Sequence, residues 1–268
     1  MTRGGYNTSM DFRTRHQLAV FTAALLIVGA MGGLAYLTYR PSPTCFDGRL
    51  NQAEEEVDCG GPCVSCALRH AQPLDIFWVR FIKVRENSYD AVAEVSNPNR
   101  KLAATSFEYE FKLFNTSGDV VALRQDTAYI YPGEGMHLAE VGLLSDDAIG
   151  NVTLTLRNVR WALSESSAPD VVVGGKEYAV IRDGALRRST VRAIASNQSV
   201  DDVSDLKLAV LVFDTLGNLM GVHRTVLEGL AAGEAKTLTF TWPVEFPDAI
   251  SSIAIEARSP TALPPAQP

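Results

Sequence analysis

The sequence predicts an all-β body of two tandem β-sandwiches, preceded by one N-terminal transmembrane helix and a small disulfide-rich module. Three observations predict it. Apolar and polar residues alternate with period two over much of residues 74–259. Residues 90–160 align with residues 190–257 at an offset of about 100. A twenty-residue uncharged, mostly apolar run spans Leu18 to Leu37, and all four cysteines follow it within the 22 residues from Cys45 to Cys66.

As a helix, Leu18 to Leu37 rises about 30 Å, the thickness of the hydrocarbon core. Tyr36 and Tyr39 lie near its outer end, where amphipathic rings favour the interface. Arg3, Arg13 and Arg15 precede it against the single acid Asp11, and Arg40 follows. Positive charge stays inside, so residues 1–16 are expected in the cytoplasm, 17–39 in the membrane and the rest outside. A cleaved signal peptide has an apolar region of about 7–15 residues and a small-x-small site. This run is longer and leads into Tyr-Leu-Thr-Tyr-Arg, so it reads as an uncleaved signal anchor of a single-pass protein. Gly29 and Gly33 have GxxxG spacing, but glycine is common in membrane helices and the spacing alone predicts no dimer.

Residues 41–69 read as a cysteine-rich module. An even number of cysteines in an exported segment favours two disulfides among Cys45, Cys59, Cys63 and Cys66, with three pairings open. Gly60, Gly61 and Pro62 supply the tight turn that close bridges need. Zinc held by four thiolates is the alternative, on the spacing Cys63-x-x-Cys66, and an oxidising compartment opposes it. Asp47, Asn51, Glu54 and Asp58, with Glu55 and Glu56, offer closely spaced oxygens around a glycine turn, the chemistry of a calcium site. Their spacing is not that of an EF-hand, and a solvated acidic loop is the plainer reading. The string C-x-D-G-x-x-N-x-x-E-x-x-x-D-C-G-G-x-C-x-x-C, carried by Cys45, Asp47, Gly48, Asn51, Glu54 and Asp58 through Cys66, resembles a small cysteine module of bacterial surface and secreted proteins. That resemblance implies no activity.

The two copies match in several places. Ala91-Val-Ala-Glu-Val-Ser-Asn97 corresponds to Val191-Arg-Ala-Ile-Ala-Ser-Asn197, and Phe107 to Asn115 corresponds to Leu206 to Asp214. Each of the latter leads into a glycine turn, at Gly118 and Gly217. Pro132-Gly-Glu134 matches Ala232-Gly-Glu234, and Asp147-Ala-Ile149 matches Asp248-Ala-Ile250. Phe107, Tyr109, Phe111 and Leu113 are expected to face a core, with Glu108, Glu110 and Lys112 facing water. Leu206, Leu208, Val210 and Val212 repeat the inward set. The sandwiches are expected at 74–162 and 170–259, joined by the polar segment Ser164 to Asp170. The Pro-rich tail, 260–268, is expected to be disordered. The copies resemble the FxLYD family of extracytoplasmic modules, through Phe111-Lys-Leu113-Phe114-Asn115 and the weaker Val210-Leu-Val212-Phe213-Asp214. The resemblance implies immunoglobulin-like sandwiches and a role in envelope or surface interaction, with no catalytic residues.

Composition excludes some partners. The chain carries a net charge of −7, and residues 41–268 hold 20 Lys and Arg against 30 Asp and Glu. Such a body repels phosphate backbones, so nucleic acid is not an expected partner. His16, His70, His137 and His223 are scattered and read as surface or turn residues. Asp146 and Asp147 read as turn caps, and Trp78, Trp161 and Trp242 as core fillers. No G-x-S-x-G, H-E-x-x-H or P-loop motif is present. The expectation is a non-catalytic, membrane-anchored interaction or scaffold protein of the cell envelope, without a cofactor, whose two sandwiches dock another protein or span a distance. The alternative is a calcium- or glycan-dependent surface adhesin, resting on the acidic cysteine segment and the tryptophans.

Overall fold

A computed structural model describes residues 12–39 and 44–264. The expectations placed on Arg3, Asp11, Arg40 and residues 265–268 lie outside the described residues. The chain divides into two compact units, residues 1–64 and 65–268.

In the first unit α1 (Phe12–Tyr39) runs for 28 residues with no buried side chain. It begins five residues before the expected span, because Phe12-Arg-Thr-Arg-His-Gln contains neither Pro nor Gly to interrupt it. Among the described residues it is the one helix long and apolar enough to cross a membrane. Its two threonines suit such a role. The Thr22 hydroxyl donates to the Leu18 carbonyl and that of Thr38 to Leu34, both at 2.9 Å, so neither needs water.

The second unit opens with a single turn, α2 (Cys66–Arg69), and continues with twelve strands. The first six are β1 (Asp75–Arg85), β2 (Ser88–Ser96), β3 (Leu102–Asn115), β4 (Val120–Ile130), β5 (Gly135–Leu144) and β6 (Ile149–Leu163). The second six are β7 (Val171–Asp183), β8 (Leu186–Asn197), β9 (Val203–Asp214), β10 (Leu219–Leu230), β11 (Ala235–Trp242) and β12 (Ile250–Arg258). They form four antiparallel sheets, ordered β1-β2-β5 and β4-β3-β6, then β7-β8-β11 and β10-β9-β12. The repeat is therefore one of topology: in each copy the second strand pairs with the fifth and the third with the sixth, the immunoglobulin pairing.

Alternation places the cores. Phe107, Tyr109, Phe111 and Leu113 are buried against Ala91, Ala93 and Val95 in the first sandwich. Leu206, Leu208, Val210 and Val212 are buried against Val191 and Phe240 in the second. Gly118 and Gly217 carry φ of 92° and 80° in the turns after β3 and β9, where a side chain would be strained. One position departs from the expected alternation. Glu110 lies on the outward face yet is buried, covered by Lys112, whose Nζ is 2.8 Å away, and by Arg157 at 3.1 Å, while Gln125 donates to its other oxygen. Long side chains lying across a flat sheet remove water from a short acid between them.

The two sandwiches share a third apolar layer. The outward face of β1-β2-β5 packs on the outward face of β10-β9-β12. Val92 and Ala139 of the first sandwich meet Leu211, Leu219 and Val222 of the second, with Trp78 and Phe213 packed around them. Sheets packed face to face lie about 10 Å apart, so the four sheets form a stack about 30 Å from first to last.

Candidate functional site

Two places concentrate polar chemistry: the seam between the sandwiches and the cysteine module.

At the seam, Arg224 on β10 reaches into the first sandwich. Its Nη1 donates to Glu140 Oε1 at 2.6 Å and to Tyr109 Oη at 3.2 Å, and its Nη2 to Asp126 Oδ2 at 2.6 Å. Tyr109 Oη in turn donates to Glu140 Oε1 at 2.5 Å. Burial works against the Asp126 carboxylate, but the Arg224 hydrogen bond and charge hold it below the usual range. Burial, then the bond to Glu140, push the Tyr109 hydroxyl far above its ordinary value, so it stays a donor. A second arginine, Arg258, closes β12. Its Nη1 donates to Glu134 Oε2 at 2.8 Å, its Nη2 donates to the Gly135 carbonyl, and its Nε lies 3.4 Å from Glu256.

Glu256 completes this end. It accepts the His137 backbone N–H at 3.0 Å and lies 2.6 Å from His137 Nδ1. Burial would raise its pKa, yet the histidine and Arg258 keep it below the usual range. Tyr131 Oη, buried, donates to the Ser259 carbonyl at 2.8 Å. His137, expected as a surface residue, is thus a bridge between repeats, and the Trp78 ring packs against it at 5.3 Å.

Between these clamps lies a cavity of about 60 Å³. Its walls are largely apolar, with Met136, Leu138, Leu208 and Ala209 lining it. Ligand sites for drug-sized molecules run to about 300–1,000 Å³, so this one has room only for a few waters. Lys207 Nζ lies over the Tyr129 ring at 5.7 Å. Both arginines are engaged by groups of the first sandwich, and the arrangement ties the two sandwiches together.

The other expected residues fall apart in space. His223 stands between Phe240 and Trp242, at 5.4 and 5.7 Å, and burial lowers its pKa. Asp146 and Asp147 serve turns, accepting from Asn87 at 3.0 Å and Asn115 at 3.2 Å. Trp242 fills the second core and donates to the Val222 carbonyl at 2.8 Å. Trp161 packs on the first core, and Trp78 on the seam, where it donates to Glu94.

In the cysteine module all four cysteines are disulfide-bonded, which removes the thiolates that the zinc alternative requires. Cys45 pairs with Cys63, with their Cα atoms 5.5 Å apart. The acids expected near calcium are engaged by the module's own chain. Asp47 accepts the backbone N–H of Arg49 at 2.9 Å and Asn51 Nδ2 at 2.8 Å. Asp58 accepts the Gly48 N–H at 3.0 Å, and Glu54 those of Asn51 at 3.1 Å and Asp58 at 3.2 Å. Among the described residues Glu54 comes near the Cys45 and Cys63 sulfurs, whereas Asp47 and Asp58 join no such group. The Gly60-Gly61 pair is sterically required. A Cβ on Gly61 would meet the Ala53 carbonyl oxygen at 2.4 Å, and one on Gly60 would meet Glu55 at 2.7 Å.

No family model matches this chain, and no curated protein matches it. Among solved structures the chain is similar to the N-terminal CBM22-1-CBM22-2 tandem domain of Paenibacillus barcinonensis Xyn10C, at 11% identity over 71% of this chain and 87% of that one. The TM-score is 0.14, and a likeness at that level carries no argument.

Proposed function

We propose that this chain is a single-pass, membrane-anchored extracytoplasmic protein whose paired sandwiches form a non-catalytic docking platform for another protein of the cell envelope. The seam carries this reading. Two arginine clamps, a His–Glu bridge and an apolar layer fix the repeats broadside, as one body. Broadside packing gives a compact block about 30 Å deep, which suits docking better than spanning a distance. The anchor reading is supported by α1 and by the arginines Arg13 and Arg15 at its start. The extracytoplasmic reading is supported by the four disulfide-bonded cysteines. The FxLYD-like and cysteine-module resemblances point the same way.

The test is crosslinking of the full-length protein in its native membrane, followed by detergent extraction and identification of what co-purifies. A stoichiometric envelope protein is the expected result. Recovery of the chain alone, at a crosslinking efficiency that captures known complexes, would sink the docking reading.

A further inference from the structure

We propose that the cysteine module is itself a membrane-contacting collar, with Phe46 and Leu50 seated in the lipid headgroup region. This rests on the reading of α1 as a membrane span. The Cys45–Asn51 loop is held by its own hydrogen bonds: Asp47 takes the Arg49 N–H and the Asn51 side chain, and Asp58 takes the Gly48 N–H. The apolar side chains of the same loop are left outside. Phe46 is 90% exposed and Leu50 63%, and Val64, beside the Cys63 bridge, is also exposed. The Cys45–Cys63 disulfide fixes the loop, so Phe46 has no core to fold into.

Chain length says what covers it. Five residues lie between Cys45 and Tyr39, the last residue of α1, so six Cα steps join them. Those six Cα steps reach at most about 20 Å, so the loop stays within reach of a headgroup layer about 5–8 Å thick on each side of the core. Phe and Leu side chains held within that reach gain by burying apolar surface at the headgroup–acyl boundary. The charge of the module selects the lipid. Asp47, Glu55 and Glu56 are exposed and oppose an anionic surface, so the partner is a zwitterionic headgroup layer.

The experiment reconstitutes the full chain in phosphatidylcholine vesicles, with p-benzoylphenylalanine placed singly at Phe46, Leu50, Val200 or Leu216. The last two are 92% and 85% exposed and serve as controls in the second sandwich. Irradiation is expected to give lipid adducts at 46 and 50 and none at 200 and 216. Equal lipid labelling at all four positions, or adducts at 46 only to a second copy of the chain, would overturn the collar. Alkaline extraction of the same vesicles separates the two readings. A chain that resists extraction without lipid adducts at 46 removes the collar alone. A chain released by alkali removes the membrane span and the collar with it.

Discussion

Asn97 and Asn197 occupy the same place in the two sandwiches and make the same bonds. Each backbone N–H donates to the carbonyl of a glutamate, Glu134 at 2.8 Å and Glu234 at 2.9 Å. Each side-chain Nδ2 donates to two carbonyls, the buried Leu102 and Tyr131 in one copy and Asp201 and the buried Leu230 in the other. Each Oδ1 accepts the N–H two residues on, from Asn99 or Ser199, at 3.0 Å. The end of the second strand is thereby tied to the turn before the fifth, and both residues are buried. Asn97→Ala and Asn197→Ala leave two carbonyls without donors, and each is expected to cost about 2–3 kcal/mol. Urea unfolding of residues 41–268, with the disulfides intact, checks this. Because the sandwiches share a layer, either variant should shift one common transition rather than split it.

Arg224 is the principal polar lock of the seam. Arg224→Ala leaves buried Glu140 with only the half-exposed Arg124, 3.9 Å away, as a cation and is expected to destabilise by about 3 kcal/mol. Arg224→Ala with Glu140→Ala should cost less than the sum of the two single changes, by about 1–2 kcal/mol. Additive losses in the double-mutant cycle would show that the pair does not couple the repeats.

Two buried groups give stability opposite pH slopes. Burial raises the Asp90 carboxyl to about 6, against the one N–H it accepts, from Gly142 at 2.9 Å. A raised value means the native state favours the protonated acid, so this contribution is full at low pH and fades as pH rises through about 6. Asp90→Asn is expected to stabilise at pH 8 by something on the order of 2 kcal/mol, and by almost nothing at pH 4. His223 works the other way. Its lowered value means its contribution is present above about 6.5 and is lost as pH falls. With Asp90 replaced, denaturant midpoints should therefore drop more steeply between pH 7 and 5 than in the wild type.

The module's bridges are checkable by mass. Under non-reducing, denaturing conditions no cysteine should take up an alkylating agent. Cleavage after Arg49 should free the Cys45 peptide from Cys63 only once the disulfide is reduced. Free thiols accompanied by bound zinc would refute the bridges and the oxidising compartment together.

Much of this was legible in the sequence, and the rest was hidden for a physical reason. The strands, the glycine turns and the inward rows of β3 and β9 follow from period two, because each row faces one core. The seam does not announce itself through one copy. It shows where the copies disagree: Ala209 and Leu211 stand where the first copy has Glu110 and Lys112. Those apolar residues make β9 hydrophobic on both faces, the mark of a strand covered on both sides. The roles of Arg224, Arg258 and His137 were not readable, since their partners lie 84 to 124 residues away. A charged side chain on a strand carries no sign of which distant carboxylate it will meet. Glu110 was misread for the same reason, being covered by Arg157 from β6 and Gln125 from β4.

The broadside stack joins unlike faces, the β1-β2-β5 side of one copy against the β10-β9-β12 side of the other. Such a head-to-tail contact has no symmetry that closes it, and a third and fourth module could in principle add without limit. The outer faces lack the apolar residues that such an addition would use. Where Val92 and Ala139 meet the neighbour, the unpaired end of the second copy presents Arg192 opposite Thr239. At the other end, the place of Leu211 is taken by Lys112. Each outer face thus carries a cation where the shared layer is apolar, which disfavours extending the stack by the same contact.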